Sequence, residues 1–290
     1  MLELPEVEAL REFLTDVAVG AVVERAEVVS FAVLKTTTIS PRDLAGRQIE
    51  SVTRRGKFLG LKLRGDCSTW LVTHLAKAGW LRWRDTMPPA PARPSRGPLA
   101  FRLRLTDGRG FDLTEAGTRQ RLAVYLVNDL TDVPGIASLG PEPLAESFTP
   151  AVLDAILDQA GGAQIKGVLR DQRTIAGIGN AYSDEILWAA GLSPFAAAGR
   201  LDPAQRAGLY EAIGTTLRTA IAQASGLGTG ELKAEKKAGL QVHGRAGQPC
   251  PRCGTTIAEV SFADSALQYC PGCQTGGRVL ADRRLSRLLK

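Results

Sequence analysis

Four cysteines near the end of the chain constrain its fold more than any other feature. Cys250, Cys253, Cys270 and Cys273 form the pattern C-x2-C-x16-C-x2-C within the last 41 of 290 residues. Each close pair offers two thiolates from one tight turn, and two such pairs complete a tetrahedron around one zinc ion. Pro251 and Pro271 lie inside the two turns and Gly254 follows the first, as tight turns favour. Redox dithiols or two disulfides are the competing readings. The acidic start Met1-Leu2-Glu3-Leu4-Pro5-Glu6 has no basic and apolar leader, so no secretory context supports disulfides. Four sulfur ligands leave no open position, which assigns the metal to structure and not to chemistry. The fifth cysteine, Cys67, reads as a small residue near a turn.

Most of the chain lies outside this module. A length of 290 residues fits about two domains. An apolar content of 44% and a charged content of 23% are globular, which excludes a wholly disordered chain. No apolar run approaches the ~20 residues of a membrane-spanning helix, so a cytoplasmic protein without a membrane partner is expected. The formal net charge of +6 fits a polyanionic partner without establishing one.

Residues 5–18 read as a helix, with Pro5 in its first turn and Val7, Leu10, Leu14 and Val17 at helical spacing. Residues 58–63, 69–73 and 101–105 read as strands, the last alternating apolar and cationic residues. Residues 85–98, with Pro88, Pro89, Pro91, Pro94 and Pro98, read as a surface loop. Near residue 133 the pattern becomes helical. Thr149-Pro150 and Asp202-Pro203 each pair a cap with a first-turn proline. Residues 226–248 are rich in glycine and lysine and read as mobile, and the chain closes on a basic tail with Arg278, Arg283, Arg284, Arg287 and Lys290.

Chemistry-bearing residues cluster in three places. Gly177-Ile178-Gly179-Asn180 stands before a helical stretch. Glycines there let backbone N–H groups approach a phosphate, and the helix dipole favours the anion. Such a turn alone reads more readily as a plain helix start, but Lys166, Arg170 and Arg173 just upstream raise the anion-binding reading. Glu3 and Glu6 by themselves read as solvated helix-start charges. Lys57, in Arg54-Arg55-Gly56-Lys57-Phe58 at the mouth of a strand, by itself reads as an ordinary turn lysine.

Together these features resemble the formamidopyrimidine-DNA glycosylase / endonuclease VIII family of base-excision repair enzymes. The matching stretches are Glu3-Leu4-Pro5-Glu6-Val7-Glu8, Arg55-Gly56-Lys57-Phe58-Leu59, His74-Leu75 ahead of Gly79, Asp171-Gln172, Ala176 through Glu185, Val242-His243-Gly244-Arg245, and the two cysteine pairs. They span almost the whole chain in the family's order. The resemblance implies a multidomain α+β fold: an N-terminal antiparallel β-sandwich with a leading helix (residues 1–132), a linker (133–148), a helix–two-turn–helix domain (149–245), and a β zinc finger with basic tail (246–290). It implies a monomer in the cytoplasm, associated with the nucleoid, that binds damaged double-stranded DNA and uses structural zinc and no nucleotide cofactor. A damaged, oxidised base is extruded so that its glycosidic bond can be reached. Glu3 would serve as general acid and Glu6 as a supporting carboxylate. Lys57, His74, Lys77, Lys166, Gly177, Gly179, Asn180 and Arg245 would contact DNA.

The chain departs from the family where the nucleophile is expected. The family uses an N-terminal proline exposed by methionine removal, and here position 2 is Leu2. The attacking amine is then that of Met1 or, after processing, of Leu2; the alternative is a lesion- or abasic-site-binding protein that has lost its chemistry. The wedge also differs: Lys77 stands where a methionine is expected, Thr118-Arg119-Gln120-Arg121-Leu122 lacks an aromatic, and Ser265 replaces the finger's arginine.

Overall fold

The computed structural model describes residues 2–65, 68–88, 92, 97–116, 120–262 and 265–281. Met1, Cys67, Pro89, Pro91, Pro94, Thr118, Arg119, Arg283, Arg284, Arg287 and Lys290, all named above, lie outside the described residues. The chain divides into two compact units: Met1–Ser138 with Ala224–Lys233, and Leu139–Gln223 with Ala234–Lys290.

The first unit is built by alternation. Helix α1 (Leu4–Ala18) is followed by strands β1 (Val23–Val28), β2 (Gln48–Arg55), β3 (Phe58–Arg64), β4 (Thr69–His74), β5 (Gly79–Arg84), β6 (Leu99–Leu105), β7 (Gly110–Glu115) and β8 (Ala123–Val127), then by the short α2 (Pro134–Ala137). The strands form two four-stranded antiparallel sheets, β1-β6-β7-β5 and β2-β3-β4-β8. Leu59, Leu61 and Leu63 of β3 and Phe101, Leu103 and Leu105 of β6 all enter one core. Period-two geometry turns the intervening residues to the other face. There Arg102 pairs with Asp112 at 2.7 Å and Arg104 with Glu24 at 2.6 Å. Helix α1 adds Leu4, Val7, Leu10 and Leu14, all buried, and Leu2 is buried with them at 6% exposure.

Residues 224–233 return to this unit. Ala224 and Leu232 join its core, and Thr229 Oγ1 accepts the backbone N–H of Trp83 at 3.3 Å. Trp83 lies on β5, an edge strand, whose unpaired N–H groups need such cover. The Lys233 ammonium sits 4.3 Å from the centroid of the Trp80 ring, also on β5.

The second unit is mainly helical. It contains α3 (Pro150–Ala160), α4 (Ile165–Arg170), α5 (Asn180–Ala189), most of α6 (Pro203–Ala224) and of α7 (Leu232–Gly239), the β9 (Ala258–Ser261) and β10 (Ala266–Tyr269) hairpin, and the short α8 (Pro271–Gln274). Both expected caps form: Val152 N–H donates to Thr149 Oγ1 at 3.4 Å, and Gln205 N–H to Asp202 Oδ1 at 2.8 Å. Helix α7 lies in the glycine- and lysine-rich stretch read from the sequence as mobile. Leu232, Lys233, Ala234, Glu235, Lys236 and Lys237 are strong helix formers, and over this run their propensity outweighs the flanking glycines. Among the described residues no helix is long and apolar enough to cross a membrane.

This packing predicts a sharp contrast between neighbours on β3. Leu61→Ala should cost about 2–5 kcal/mol in urea unfolding, because Leu61 is fully buried. Lys62→Ala should cost less than about 1 kcal/mol, because its pair with Glu50 is a third exposed on both sides.

Candidate functional site

In the first unit the candidate residues gather on α1 and on the turns at the strand ends. Glu3 is the N-cap of α1, and its N–H donates to Glu6 Oε2 at 2.7 Å within a reciprocal capping box. Both carboxylates are buried, at 2% and 1% exposure, so they are not the solvated helix-start charges of the bland reading. Glu8, one turn further on, pairs with Arg54 of β2 at 2.6 Å, and Arg54 donates to the carbonyl of Gly56 at 3.1 Å. These contacts tie the first half of α1 to the turn that carries Lys57.

Lys57 is itself buried, at 7% exposure. Phe58 and His74 face each other across β3 and β4 with ring centroids 4.7 Å apart. Burial, and then the nearby Lys57 charge, push the His74 pKa down to about 4. His74 is therefore neutral at physiological pH, a hydrogen-bonding group and not a cation. Lys77 is exposed on the following turn. That turn holds the one non-glycine residue with positive φ among the described residues, Ala76 at +52°. It also requires Gly79, where a Cβ would lie 2.1 Å from the Leu75 carbonyl oxygen. Glu115 accepts the N–H groups of Arg121 at 2.8 Å and Leu122 at 3.0 Å, which fixes the far end of the loop expected to carry the wedge.

In the second unit the glycine turn is held from inside. Gly177 has φ +85°. Gln172 accepts its N–H at 3.0 Å and donates to the Ile178 carbonyl at 2.7 Å, so one side chain staples both strands of the turn. Gly179 caps α5. Asn180 directs its amide nitrogen to the Ala266 carbonyl at 2.7 Å, while its buried Oδ1 has no hydrogen-bond partner among the described residues.

Lys166 was expected among the cations approaching DNA. The structure places it beneath the turn, at 5% exposure. Its ammonium donates to Asp184 Oδ1 at 2.6 Å, Ser183 Oγ at 2.7 Å and the Asn180 carbonyl at 3.2 Å. Asp184 Oδ2 also lies 2.7 Å from His243 Nδ1 and accepts the Gln268 N–H at 3.2 Å. Arg170 and Arg173 do remain exposed beside the turn. Glu185, which the sequence reading did not single out, accepts three consecutive backbone N–H groups: Gln241 at 2.8 Å, Val242 at 2.9 Å and His243 at 2.8 Å. Burial pushes its pKa up, opposed by those three donors. This clamp sets the chain just before Gly244 and the half-buried Arg245.

The four cysteines converge as expected, with all four sulfur atoms within 4.8 Å of one another. Neighbouring pairs are 3.4 and 3.9 Å apart. A tetrahedron with Zn–S bonds of about 2.3 Å has edges of about 3.8 Å, so the donor set fits zinc. Thr255 donors hold the Cys253 thiol down at about 6, whereas burial and neighbouring thiols push Cys273 up to about 12. Metal binding must therefore displace protons.

Comparison with known proteins agrees along the whole chain. The formamidopyrimidine-DNA glycosylase N-terminal domain matches residues 1–121, its H2TH domain residues 139–230, and the zinc finger found in FPG and IleRS residues 247–276. The formamidopyrimidine-DNA glycosylase of Enterococcus faecalis is 33% identical over 287 residues, covering 94% of this chain and 97% of that protein. An uncharacterized formamidopyrimidine-DNA glycosylase-like protein of Mycobacterium tuberculosis is 54% identical over 156 residues, covering 52% of this chain and 98% of that protein. The Lactococcus lactis Fpg in complex with abasic-site DNA superposes with a TM-score of 0.81 at 27% identity, covering 94% of this chain and 99% of that one.

Two measurements check this geometry. Lys166→Met should destabilise the protein by about 3–5 kcal/mol in urea unfolding, because it strands a buried carboxylate. In a histidine NMR titration, His74 should stay neutral until pH falls to about 4. Its folded pKa lies below the unfolded value of about 6.5. The unfolded chain thus binds more protons between these values, and stability should fall as pH drops through that window.

Proposed function

The chain belongs to the formamidopyrimidine-DNA glycosylase family, and from that premise we propose that it extrudes a damaged, oxidised base from duplex DNA and breaks its glycosidic bond with its own N-terminal amine. The observation that carries this reading is the buried, interlocked Glu3–Glu6 pair directly after the start of the chain. The amine attacks the anomeric carbon, the carbon–nitrogen bond to the base breaks, and the base leaves with a proton. Glu3 supplies a proton to the sugar oxygen as the ring opens, and Glu6 holds Glu3 in place. Ring opening breaks the bond from the anomeric carbon to the ring oxygen, which stays on the sugar as a hydroxyl, and so leaves an imine; loss of a 2′ proton then expels the 3′ phosphate by β-elimination.

A terminal amine has a pKa of about 7.7–8.0, so part of it is neutral and nucleophilic at cellular pH. Whether Met1 is retained decides the register, since one residue spans up to about 3.3–3.6 Å and a shift of ~1 Å can cost about 10²-fold. Leu2, with its side chain packed into the core, anchors the chain immediately behind this amine. In this reading Lys57, His74 and Lys77 contact DNA from the first unit, and Gly177, Gly179, Asn180 and Arg245 from the second. Lys166 acts indirectly, by holding the glycine turn. Zinc on the four cysteines holds the finger.

The second reading is a protein that binds lesions or abasic sites without turnover. It is favoured by Leu2, a bulky core residue where a secondary-amine nucleophile is expected. Borohydride trapping on an abasic-site duplex separates the two. A covalent protein–DNA adduct is expected, with Glu3→Gln slowing base release by about 10²–10⁴-fold. Specific binding to the duplex with no adduct, and no base release across a panel of oxidised lesions, would establish the binding protein instead. In that case Leu2→Pro should restore trapping.

A further inference from the structure

Helix α5 begins at the glycine turn and ends against the cysteine cluster. Its last turn carries Trp188, whose indole Nε1–H donates to Cys250 Sγ at 3.4 Å. Trp188 also packs against the buried cluster of Val242, Cys250, Ile257 and Cys270. Arg252, between the first two cysteines, lies over the ring with its guanidinium carbon 4.3 Å from the centroid. It also donates to the carbonyls of Trp188 at 3.1 Å and Ala189 at 3.3 Å, at the negative end of the helix. The second cysteine pair is strapped to the chain just beyond the helix. Gln274 accepts the Cys270 N–H at 2.8 Å and donates to the Leu192 carbonyl at 2.8 Å.

We propose that Trp188 is a positioning residue of the zinc site, whose N–H orients the Cys250 thiolate and makes metal loading and the seating of α5 one equilibrium. Four thiolates around a dication carry a formal charge of about −2. Cys250 is 3% exposed, so water cannot serve it freely, and a buried charged sulfur needs a donor. The backbone N–H groups of Arg252 and Cys253 also donate to this sulfur; Trp188 adds the side-chain donor and the apolar cover together, and Arg252 places a positive charge over the ring. Phenylalanine would give the cover without the donor. Groups that hold a metal ligand from outside contribute about 10–100-fold to metal affinity. The inference concerns the metal site alone and does not depend on the proposed glycosylase chemistry.

The test uses the full chain loaded with metal and needs no DNA. Trp188→Phe should transfer zinc to a chromogenic chelator at least about tenfold faster than the parent. With cobalt in place of zinc, the sulfur-to-metal charge-transfer band of Trp188→Phe should shift, while the d–d bands keep tetrahedral intensity. An unchanged release rate with an unchanged charge-transfer band would overturn the proposal. The parent protein gives a second check that no folding defect can obscure. Loaded with cadmium-113, it should show scalar coupling between the metal and the Trp188 indole proton. Absence of that coupling, with the indole resonance resolved, would also overturn it.

Discussion

The second unit depends on the buried pair of Lys166 and Asp184. Two charges removed from water are costly to assemble, and the pair persists only if the remaining valences are met. Here they are: the ammonium has three acceptors, and the carboxylate also meets His243 and the Gln268 N–H. The pair therefore joins α4, α5, the segment after α7 and β10 at one point. With Glu185 on the next residue, the polar face of α5 fixes the glycine turn, residues 241–243 and the hairpin to a single reference. An apolar replacement could match the stability of such a pair, but it could not aim so many backbone groups at once.

The first unit reaches a similar end by different means. Its core is a leucine-rich sandwich in which strand alternation does most of the positioning. The functional candidates stand on the turns at the strand ends and on the first turn of α1, where a rigid scaffold can present loops. Polar clamps again set the details: the capping box for Glu3 and Glu6, Arg54 for the Lys57 turn, and Glu115 for the backbone of Arg121 and Leu122. Among the described residues, Ala76, held at positive φ beside Lys77, is the one place where a non-glycine backbone takes on strain for position.

Much of this was legible in the sequence. Helix 5–18, the alternation in residues 101–105, both proline-marked helix starts and the cysteine spacing all reflect local rules, and the structure realises each of them. Residues that act through tertiary contacts were not legible in the same way. A lysine beside a glycine turn reads identically whether it faces a phosphate or, like Lys166, a buried aspartate 18 residues away. Gln172 was noticed only as part of a motif, and nothing local distinguishes Glu185 or Trp188 from other residues of an amphipathic helix. Helix α7 was obscured because its glycine-rich flanks dominated the reading of a short run of strong helix formers.

We propose that the turn Gly177–Asn180, held from beneath by Lys166 and Gln172, is where the second unit takes hold of a DNA phosphate. The most direct measurement is a nitrogen-15 NMR titration of the zinc-loaded chain with an abasic-site duplex. The amide resonances of Gly177, Gly179 and Asn180 should move in step with binding and lose that response as salt is raised, since phosphate contacts release counterions. Binding of the duplex with those three amides unmoved would contradict the claim.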